Sequence, residues 1–314
     1  MQNNEKSSRI MPQSKPNRIL LEEFERFRPL LFSIAYRMLG TTTEAEDIVQ
    51  ESYLRSQRRS AEPINNPKYY LTTIVSRLCL NQLSSAKTQR EQYLGPWLPE
   101  PVLTEGRPGF VNPSETLLKN DSISIAFLVL LESLSAAERA VFLLHEVFDY
   151  KFREIAQIVD KSEVACRQLF HRAKGHVAAN RPRFDVAPEQ HDRLLNRFIE
   201  TVETGEIDSF LEMLAGDVVL VPDGGGQRGA ALRVMKGREA VSAFILGTRR
   251  LAPDGLQFEV VTLNGQRAIL AQTADKRPFF ALFIYSANET VQLMHVIAGN
   301  KLRGMASGQV AGLH

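Results

Sequence analysis

The sequence predicts a mainly α-helical N-terminal half followed by an α+β cone. Three observations carry that division. Apolar residues recur at helical spacing over residues 20–84 and again over 152–174. A short break, Pro182 to Pro188, then interrupts the chain. Beyond it, two helical stretches give way to strands, two of them joined by the dipeptide Asn264-Gly265. The 314 residues suffice for two or three domains around sizeable cores. Hydrophobic content of 44% and charged content of 24% are those of a soluble globular protein. No apolar run reaches the roughly eighteen residues that a membrane span needs.

The first segment, MQNNEKSSRIMPQSKPN, lacks the apolar centre of a secretory signal and reads as a polar, disordered tail over 1–17. A cytoplasmic protein with no membrane contact is expected. A long amphipathic helix follows over Leu20 to Leu39, with Leu20, Phe24, Phe27, Leu31, Ala35 and Met38 along one side and Gly40 as its C-cap. Thr43 and Glu46 form a T-x-x-E capping box for a second helix, acidic at its start and basic at its end. Asn65-Asn66-Pro67 starts a third, which buries Leu71, Ile74, Val75, Leu78 and Cys79. Cys79 and Cys166 lie far apart in apolar patterns and read as buried free thiols rather than a disulfide or metal site.

The stretch Phe152 to Lys174 reads as two short helices joined by a tight turn. Ile155, Ala156 and Val159 pack inward, Asp160-Lys161 turns the chain, and Ser162 caps the second helix. On that helix Cys166, Phe170 and Ala173 share one face, while Arg167, Gln168, His171, Arg172 and Lys174 point elsewhere. Cations neutralise phosphates, and Arg and Gln can pair with base edges in the major groove. By itself the pattern also fits a helical hairpin with a solvated basic face. Net charge is +2, split as 25 Lys/Arg against 21 Asp/Glu over 1–184 (+4) and 13 against 15 over 185–314 (−2). Non-specific DNA affinity comes mainly from phosphate neutralisation, so this small surplus does not predict tight DNA binding by the free protein.

The strings DIVQESYLR and NNPKYYLTTIVSRLCLNQL resemble region 2 of bacterial sigma factors of the extracytoplasmic-function (ECF) class, and LLESLSAAERAVFLLHEVFDY with the hairpin at 152–174 resembles region 4. Their order, with no region 3 between them, is that of the class. The resemblance implies that Asp47, Gln50 and Glu51 dock on the clamp of the largest RNA polymerase subunit, with the second-largest subunit as a further partner. It implies that Arg58 and Arg59 follow the backbone of melted DNA, and that Lys68, Tyr69, Tyr70, Arg77 and Asn81 read the minus-ten element as a single strand. Tyr70 stands where many members carry Trp, and could equally belong to the core. Ser162, Arg167, Gln168, His171, Arg172 and Lys174 would face the minus-thirty-five element of the promoter. Breaking each base-pair step costs about 1.4 kcal/mol, and stacking a base on an aromatic ring returns roughly 1–3 kcal/mol. One or two captured bases cannot open a bubble of many steps, so melting must draw on polymerase contacts. A specificity subunit is expected, not an autonomous repressor.

Residues 95–118 form a linker between the two regions (18–94 and 119–184), held extended by prolines at 96, 99 and 101. Its PWLPEP segment resembles a linker motif of one ECF subgroup with an extra C-terminal domain, and Trp97, Leu98 and Pro99 read as a docking element. Residues 185–314 supply that domain. Leu194, Leu195, Phe198, Ile199 and Val202, then Phe210, Leu211 and Leu214, pack inward from helices. Strands are expected at 218–221, 258–263, 268–272, 279–285 and 291–297 in a curved antiparallel sheet. The pattern resembles the SnoaL-like domain of the nuclear transport factor 2 superfamily. The segment VPDGGG, with Asp223, Gly224, Gly225 and Gly226, matches a motif of the sigma subgroup, while a second motif, Asn-Pro-Asp-Lys, survives only as Lys301 in Ala298-Gly299-Asn300-Lys301. The resemblance implies that this domain does the work of a separate anti-sigma factor. Asp223, Asp275, Tyr285 and His295 do not form a motif that specifies a reaction, so no catalytic residue, metal or cofactor is expected. A small-molecule ligand, residual catalysis and dimerisation stay open as alternatives.

Overall fold

A computed structural model describes residues 21–58, 64–91, 93–104, 123–180, 188–226, 233–287 and 290–302. The N-terminal tail, Arg59 and the break at 182–187 lie outside these residues, as do residues 105–118 of the linker.

Helix α1 (Leu21–Leu39) buries Phe24, Leu31, Ala35 and Met38 and ends at Gly40, in the left-handed region at φ +79°. Helix α2 (Thr42–Arg58) starts earlier than its apparent capping box. Thr41, not Thr43, donates its hydroxyl to Glu44 at 2.6 Å, and Glu46 instead pairs with Arg28 at 2.6 Å. Helix α3 (Pro67–Glu91) begins as expected, with Asn66 Oδ1 accepting from the Tyr69 N–H at 3.0 Å. Its Leu71, Val75, Leu78 and Cys79 are buried, and Ile74 is half-buried.

After the linker come α4 (Ile125–Glu132), α5 (Ala136–Phe142), a π-helical turn at Leu143–Val147 that the sequence did not signal, α6 (Phe152–Val159) and α7 (Glu163–Asn180). Asp160 (φ 54°) makes the left-handed turn between α6 and α7, and the Ala165 N–H donates to the Ser162 hydroxyl at 3.1 Å. Ile158 joins Ile155 and Val159 in the core, whereas Ala156 is only partly covered. Helices α1 to α7 share one continuous apolar cluster, and both cysteines are buried in it as free thiols.

Helices α8 (Pro188–Thr204) and α9 (Ile207–Met213) lead into a six-stranded sheet. Its strands are β1 (Leu214–Asp223), β2 (Met235–Lys236), β3 (Gln257–Leu263), β4 (Gln266–Gln272), β5 (Pro278–Ala287) and β6 (Thr290–Ala298), in the order β2-β1-β6-β5-β4-β3. The sheet is mixed, not antiparallel throughout: β1 runs parallel to β6. The cause is helix α10 (Arg238–Leu251), absent from the expectation, which carries the chain from one end of the sheet to the other before β3. One sheet face packs on α8, α9 and α10 through Leu195, Phe198, Phe210, Met213 and Val241. The other packs on the helical half, where Leu98 and Ile125 meet Leu263, Phe283 and Ile297. The architecture is thus a helical half plus an α+β cone, as the sequence predicts, with a continuous apolar seam between them.

The β3–β4 hairpin turns on Asn264 (φ 53°) and Gly265 (φ 68°), the geometry of a type I′ turn. Asn264 is nevertheless fully buried. Its Oδ1 accepts from the Val102 N–H at 2.8 Å, and its Nδ2 donates to the Tyr36 hydroxyl at 2.8 Å and the Ile123 carbonyl at 2.7 Å. One side chain therefore joins α1, both sides of the linker and the cone.

Asn264→Ala leaves a buried N–H, a carbonyl and a hydroxyl short of a partner and puts in the left-handed region a residue that tolerates it less well than asparagine. The expected loss is about 3–5 kcal/mol in urea unfolding. Asn264→Gly is expected to recover roughly 1 kcal/mol by easing the backbone alone. A loss below about 1 kcal/mol for Asn264→Ala would remove the side chain from this role. Burial pushes His295, packed edge-on to Tyr285 at 5.2 Å, down to about 3 from 6.5. Below pH 6.5 the unfolded chain takes up a proton that the folded chain refuses, so this residue makes stability fall as pH falls, by up to about 1.4 kcal/mol per unit. His295→Phe is expected to flatten the slope of unfolding free energy between pH 6 and 5 by up to one proton. An unchanged slope would mean that the ring protonates in place.

Candidate nucleic-acid interface and interdomain latch

The densest polar cluster among the described residues lies where the linker crosses the end of β1. The Asp223 side chain is fully buried there. Its Oδ2 accepts from the Leu98 N–H at 2.7 Å and from the Lys301 ammonium at 2.7 Å, and its Oδ1 from the Gly225 N–H at 2.8 Å and from the Tyr93 hydroxyl. Burial and the adjacent carboxylate push the Tyr93 phenol upward. Lys301 also donates to the Leu98 carbonyl and stands 4.6 Å from the centre of the Trp97 ring. Strand β1 ends and the 3₁₀ turn Gly299–Leu302 begins at this point, so two distant segments of the cone converge on one linker. Gly225 (φ +68°) is required: a Cβ there would lie 1.9 Å from the Asn300 amide. Trp97 in turn lies on Gly40, where a Cβ would meet its ring at 2.6 Å.

The linker continues into the helical half. Glu100 Oε2 accepts from the Thr42 N–H at 2.8 Å and the Thr42 hydroxyl at 2.7 Å, capping α2 from outside its own chain segment. Further on, Leu103 bridges Leu263 and the Thr104 N–H donates to the Thr262 carbonyl at 3.2 Å, laying the linker along β3. Trp97, Leu98, Pro99, Asp223, Gly225 and Lys301 are therefore brought together. The departures at Ala298 and Gly299 do not prevent Lys301 from reaching its partners. Tyr93, Glu100 and Asn264 carry as much of this contact but drew no role from the sequence: Asn264 was legible only as a turn, and Glu100 only as one letter of PWLPEP.

On α2, Asp47 and Gln50 are exposed, Glu51 is half-exposed and paired with Arg55 at 2.7 Å, and Leu54 is 45% exposed. Their i, i+3, i+4, i+7 spacing puts all four on one open face. The side chain of Arg58, like Arg59, lies outside the described residues. The minus-ten candidates on α3 are arranged differently. Tyr69 reaches the Glu154 carbonyl (3.2 Å) and Gln157 Oε1 (2.9 Å) on α6 with its hydroxyl. Arg77 donates to the Gln157 and Ile158 carbonyls at 2.7 and 2.9 Å, where the α6 dipole favours a cation. Lys68 stands 5.9 Å from the Tyr150 ring, and Tyr150 donates to Thr72 at 2.9 Å. Tyr70 is half-buried against the core, and Asn81 is exposed near the middle of α3. So the polar ends of Tyr69 and Arg77 are taken up by the protein's own helix-turn-helix, although Arg77 stays exposed to solvent.

On α7 the exposed strip is Val164, Arg167, Gln168 and His171. Arg167 pairs with Glu163 at 2.6 Å and lies 4.7 Å from the Phe152 ring. Arg172 and Lys174 flank that strip on opposite sides, where they meet Glu138 (2.9 Å) and Glu146 (3.5 Å) respectively. Ser162 caps the helix. In the cone, Asp275 is at the surface beside Arg277, while Tyr285 and His295 lie in the seam on the helical side of the sheet. These residues do not converge with Asp223. Among the described residues no group of three or more His, Cys, Asp or Glu is placed to hold a metal.

Residues 24–89 match the model of sigma-70 region 2, and residues 124–177 that of sigma-70 region 4. Over 249 residues the chain is 38% identical to the ECF RNA polymerase sigma factor SigJ of Mycobacterium tuberculosis, spanning 78% of this chain and 79% of that one. The chain belongs to the ECF RNA polymerase sigma factors. The crystal structure of Mycobacterium tuberculosis SigJ is similar over 91% of this ECF sigma factor and 99% of that chain, with a TM-score of 0.68 at 31% identity. The likeness therefore extends through the cone as well as the two sigma regions. As a member of the family, the protein is an alternative sigma factor that acts in transcription initiation.

Asp223→Ala leaves the Lys301 ammonium buried without its counter-ion. The expected cost is about 3–5 kcal/mol, and Asp223→Asn, which keeps an acceptor, should lose less. Trp97 is the single tryptophan in the sequence, so its emission is expected to shift to longer wavelength in Asp223→Ala. Unchanged emission together with a loss under 1 kcal/mol would mean that the carboxylate does not hold the linker.

Proposed function

We propose that the latch makes this sigma factor its own regulator, with the cone acting on the linker in place of a separate anti-sigma factor. The observation that carries the reading is one linker segment gripped at both ends: Leu98 by Asp223 and Lys301 of the cone, and Glu100 by the N-terminus of α2. Helix α2 also presents Asp47, Gln50 and Glu51, the residues assigned to the largest polymerase subunit. A change at the cone can therefore reach the core-binding helix through the three residues Leu98 to Glu100. In this reading residues 18–94 and 119–184 are the two sigma regions, 95–118 the tethering linker and 185–314 the regulatory domain. Region 4 would meet the second-largest polymerase subunit, and the whole chain would work in the cytoplasm beside RNA polymerase. The cone is read as a binding and regulatory module, not a catalyst: Asp275 lies at the surface, the Tyr285–His295 pair is buried in the seam, and Asp223 is committed to the linker.

Promoter reading is proposed on two surfaces. Lys68, Tyr69, Tyr70, Arg77 and Asn81, with Arg58 and Arg59, would hold the separated minus-ten strand. For that, α6 must leave α3, since Tyr69 and Arg77 now bind its carbonyls. Arg167, Gln168 and His171 would enter the major groove at the minus-thirty-five element, with Ser162, Arg172 and Lys174 beside the phosphates.

Run-off transcription with purified core polymerase, on promoters selected by the protein itself, tests both proposals. Asp223→Ala is expected to change the yield at least threefold at equal protein concentration. A rise identifies the cone as a restraint and a fall identifies it as a positive part of initiation. An unchanged yield from a folded variant removes the regulatory role. Arg167→Ala is expected to weaken promoter binding by about 1–3 kcal/mol while leaving non-specific DNA binding nearly intact. Equal weakening of both would reduce Arg167 to a phosphate contact.

A further inference from the structure

Helix α7 opens on a firmly held first turn. The Ser162 hydroxyl accepts from the Ala165 N–H at 3.1 Å and the Ser162 carbonyl from the Cys166 N–H at 3.0 Å. Cys166, Leu169, Phe170 and Ala173 bury the inner face of the helix. On the outer side of this turn Val164 is 65% exposed, the most exposed large apolar side chain among the described residues of the helical half. One apolar side chain in water needs no explanation by itself. The surroundings of Val164 do give it a setting. With successive residues turned by about 100°, Val164 falls between Gln168 on one side and His171 and Arg167 on the other. It therefore occupies the middle of the exposed polar strip of α7. Glu163 at 2.6 Å and the Phe152 ring at 4.7 Å hold the Arg167 guanidinium at the margin of that strip.

Position, chemistry and rigidity then point the same way. A helix that reads the major groove meets base edges with its N-terminal residues, and Val164 is the second residue of α7. An isopropyl group neither donates nor accepts a hydrogen bond, so it cannot pair with the polar edges of guanine, adenine or cytosine. The C5 methyl of thymine is the apolar group that base pairs present in that groove. A valine on a helix is confined almost entirely to one χ1 rotamer, so little side-chain freedom is lost when it docks. Val164 and Arg167 stand three residues apart, about 4.5 Å along the helix axis. That is between one and two base-pair steps of about 3.4 Å each.

We propose that Val164 reads a thymine of the minus-thirty-five element through its C5 methyl group, one or two base pairs from the pair that Arg167 reads. The inference rests on the assignment of α7 to the minus-thirty-five element given above and adds to it a residue and a base chemistry. Arg167, Gln168 and His171 select by hydrogen bonds, whereas Val164 selects by what it cannot do. A cytosine at the same place would lack the methyl and would turn its amino group onto the isopropyl, where that donor is dehydrated and left without a partner.

The test uses the full-length chain assembled with core polymerase and promoter duplexes carrying the minus-thirty-five element that the protein itself selects. Each thymine of the element is replaced in turn by deoxyuridine, which keeps every hydrogen-bonding atom and loses only the methyl group. At one thymine the wild-type affinity is expected to fall about fourfold, the effect of withdrawing one methyl group from a buried contact. With Val164→Ala the thymine and deoxyuridine duplexes should bind alike at that position. Alanine favours the helix more than valine does and the site is exposed, so the variant is expected to fold and to assemble with core as the wild type does. Promoter selection repeated with Val164→Ala should lose the thymine at that position alone. The base pair read by Arg167 is the one at which Arg167→Ala loses discrimination. An element with no thymine within two base pairs of it, no thymine sensitive to deoxyuridine, or a sensitivity that Val164→Ala retains, overturns the proposal. So does a loss for Val164→Ala that is equal on both duplexes, or poorer assembly with core, since Val164 would then be a packing or polymerase contact. Equal weakening of specific and non-specific DNA by Arg167→Ala removes the underlying assignment of α7 and the proposal with it. Silent deoxyuridine duplexes alongside lost selectivity in Arg167→Ala remove Val164 alone.

Discussion

The Asp223 carboxylate sits where water does not reach it, and its charge is carried by one ammonium, one phenol and two backbone N–H groups. Desolvating a carboxylate and an ammonium costs several kcal/mol per ion, and only a full set of partners offsets that. Each partner comes from a different part of the chain: Tyr93 from the end of the 18–94 region, Leu98 from the linker, Gly225 from the loop after β1, Lys301 from the turn after β6. The charge is therefore satisfied only when the whole cone and the whole linker are in register. An apolar seam through Leu98, Ile125, Phe283 and Ile297 supplies most of the adhesion. The ion pair supplies the uniqueness, because sliding the linker by one residue would leave both charges short of partners.

The same economy of position appears in the helical half. Among the described residues its helices share a single core, so the two sigma regions are not independent bodies in this state. Arg77 illustrates the double use. A guanidinium suited to a phosphate is here suited equally well to the negative end of α6, because both present oxygen acceptors. Tyr69 does the same with a carbonyl and an amide. Side chains of the kind that suit nucleic acid are, for the same chemical reasons, good partners for a helix end. The interface that engages them can thus be specific without any dedicated residues.

Much of this was legible in the sequence, and the exceptions have physical causes. Helical periodicity located α1, α3, α6 and α7, and Asn264-Gly265 located its hairpin, since these signals depend on local spacing alone. The VPDGGG and PWLPEP segments stood out, and the structure brings them into contact. What stayed hidden depends on partners distant in the chain. Glu100 is an N-cap, but for a helix 58 residues earlier. Asn264 looked fully explained as a turn residue, while its amide served a buried junction. The parallel β1–β6 pairing followed from α10, whose Val241, Phe244 and Ile245 do carry helical spacing but sit behind a glycine-rich stretch. The π-helical turn after α5 has no physical account in its sequence.

The sheet has a terminal strand at β3, and the linker lies on it: Leu103 bridges Leu263, and Thr104 bonds Thr262 and Gly265. A strand edge with unpaired N–H and carbonyl groups is a template for any extended chain, including another copy of itself. The linker therefore also covers an adhesive border. If the linker were to leave the cone, these main-chain groups would be bared together with the apolar seam. Release would be safe only onto a surface ready to take their place, so for this protein letting go and being received would have to be one event.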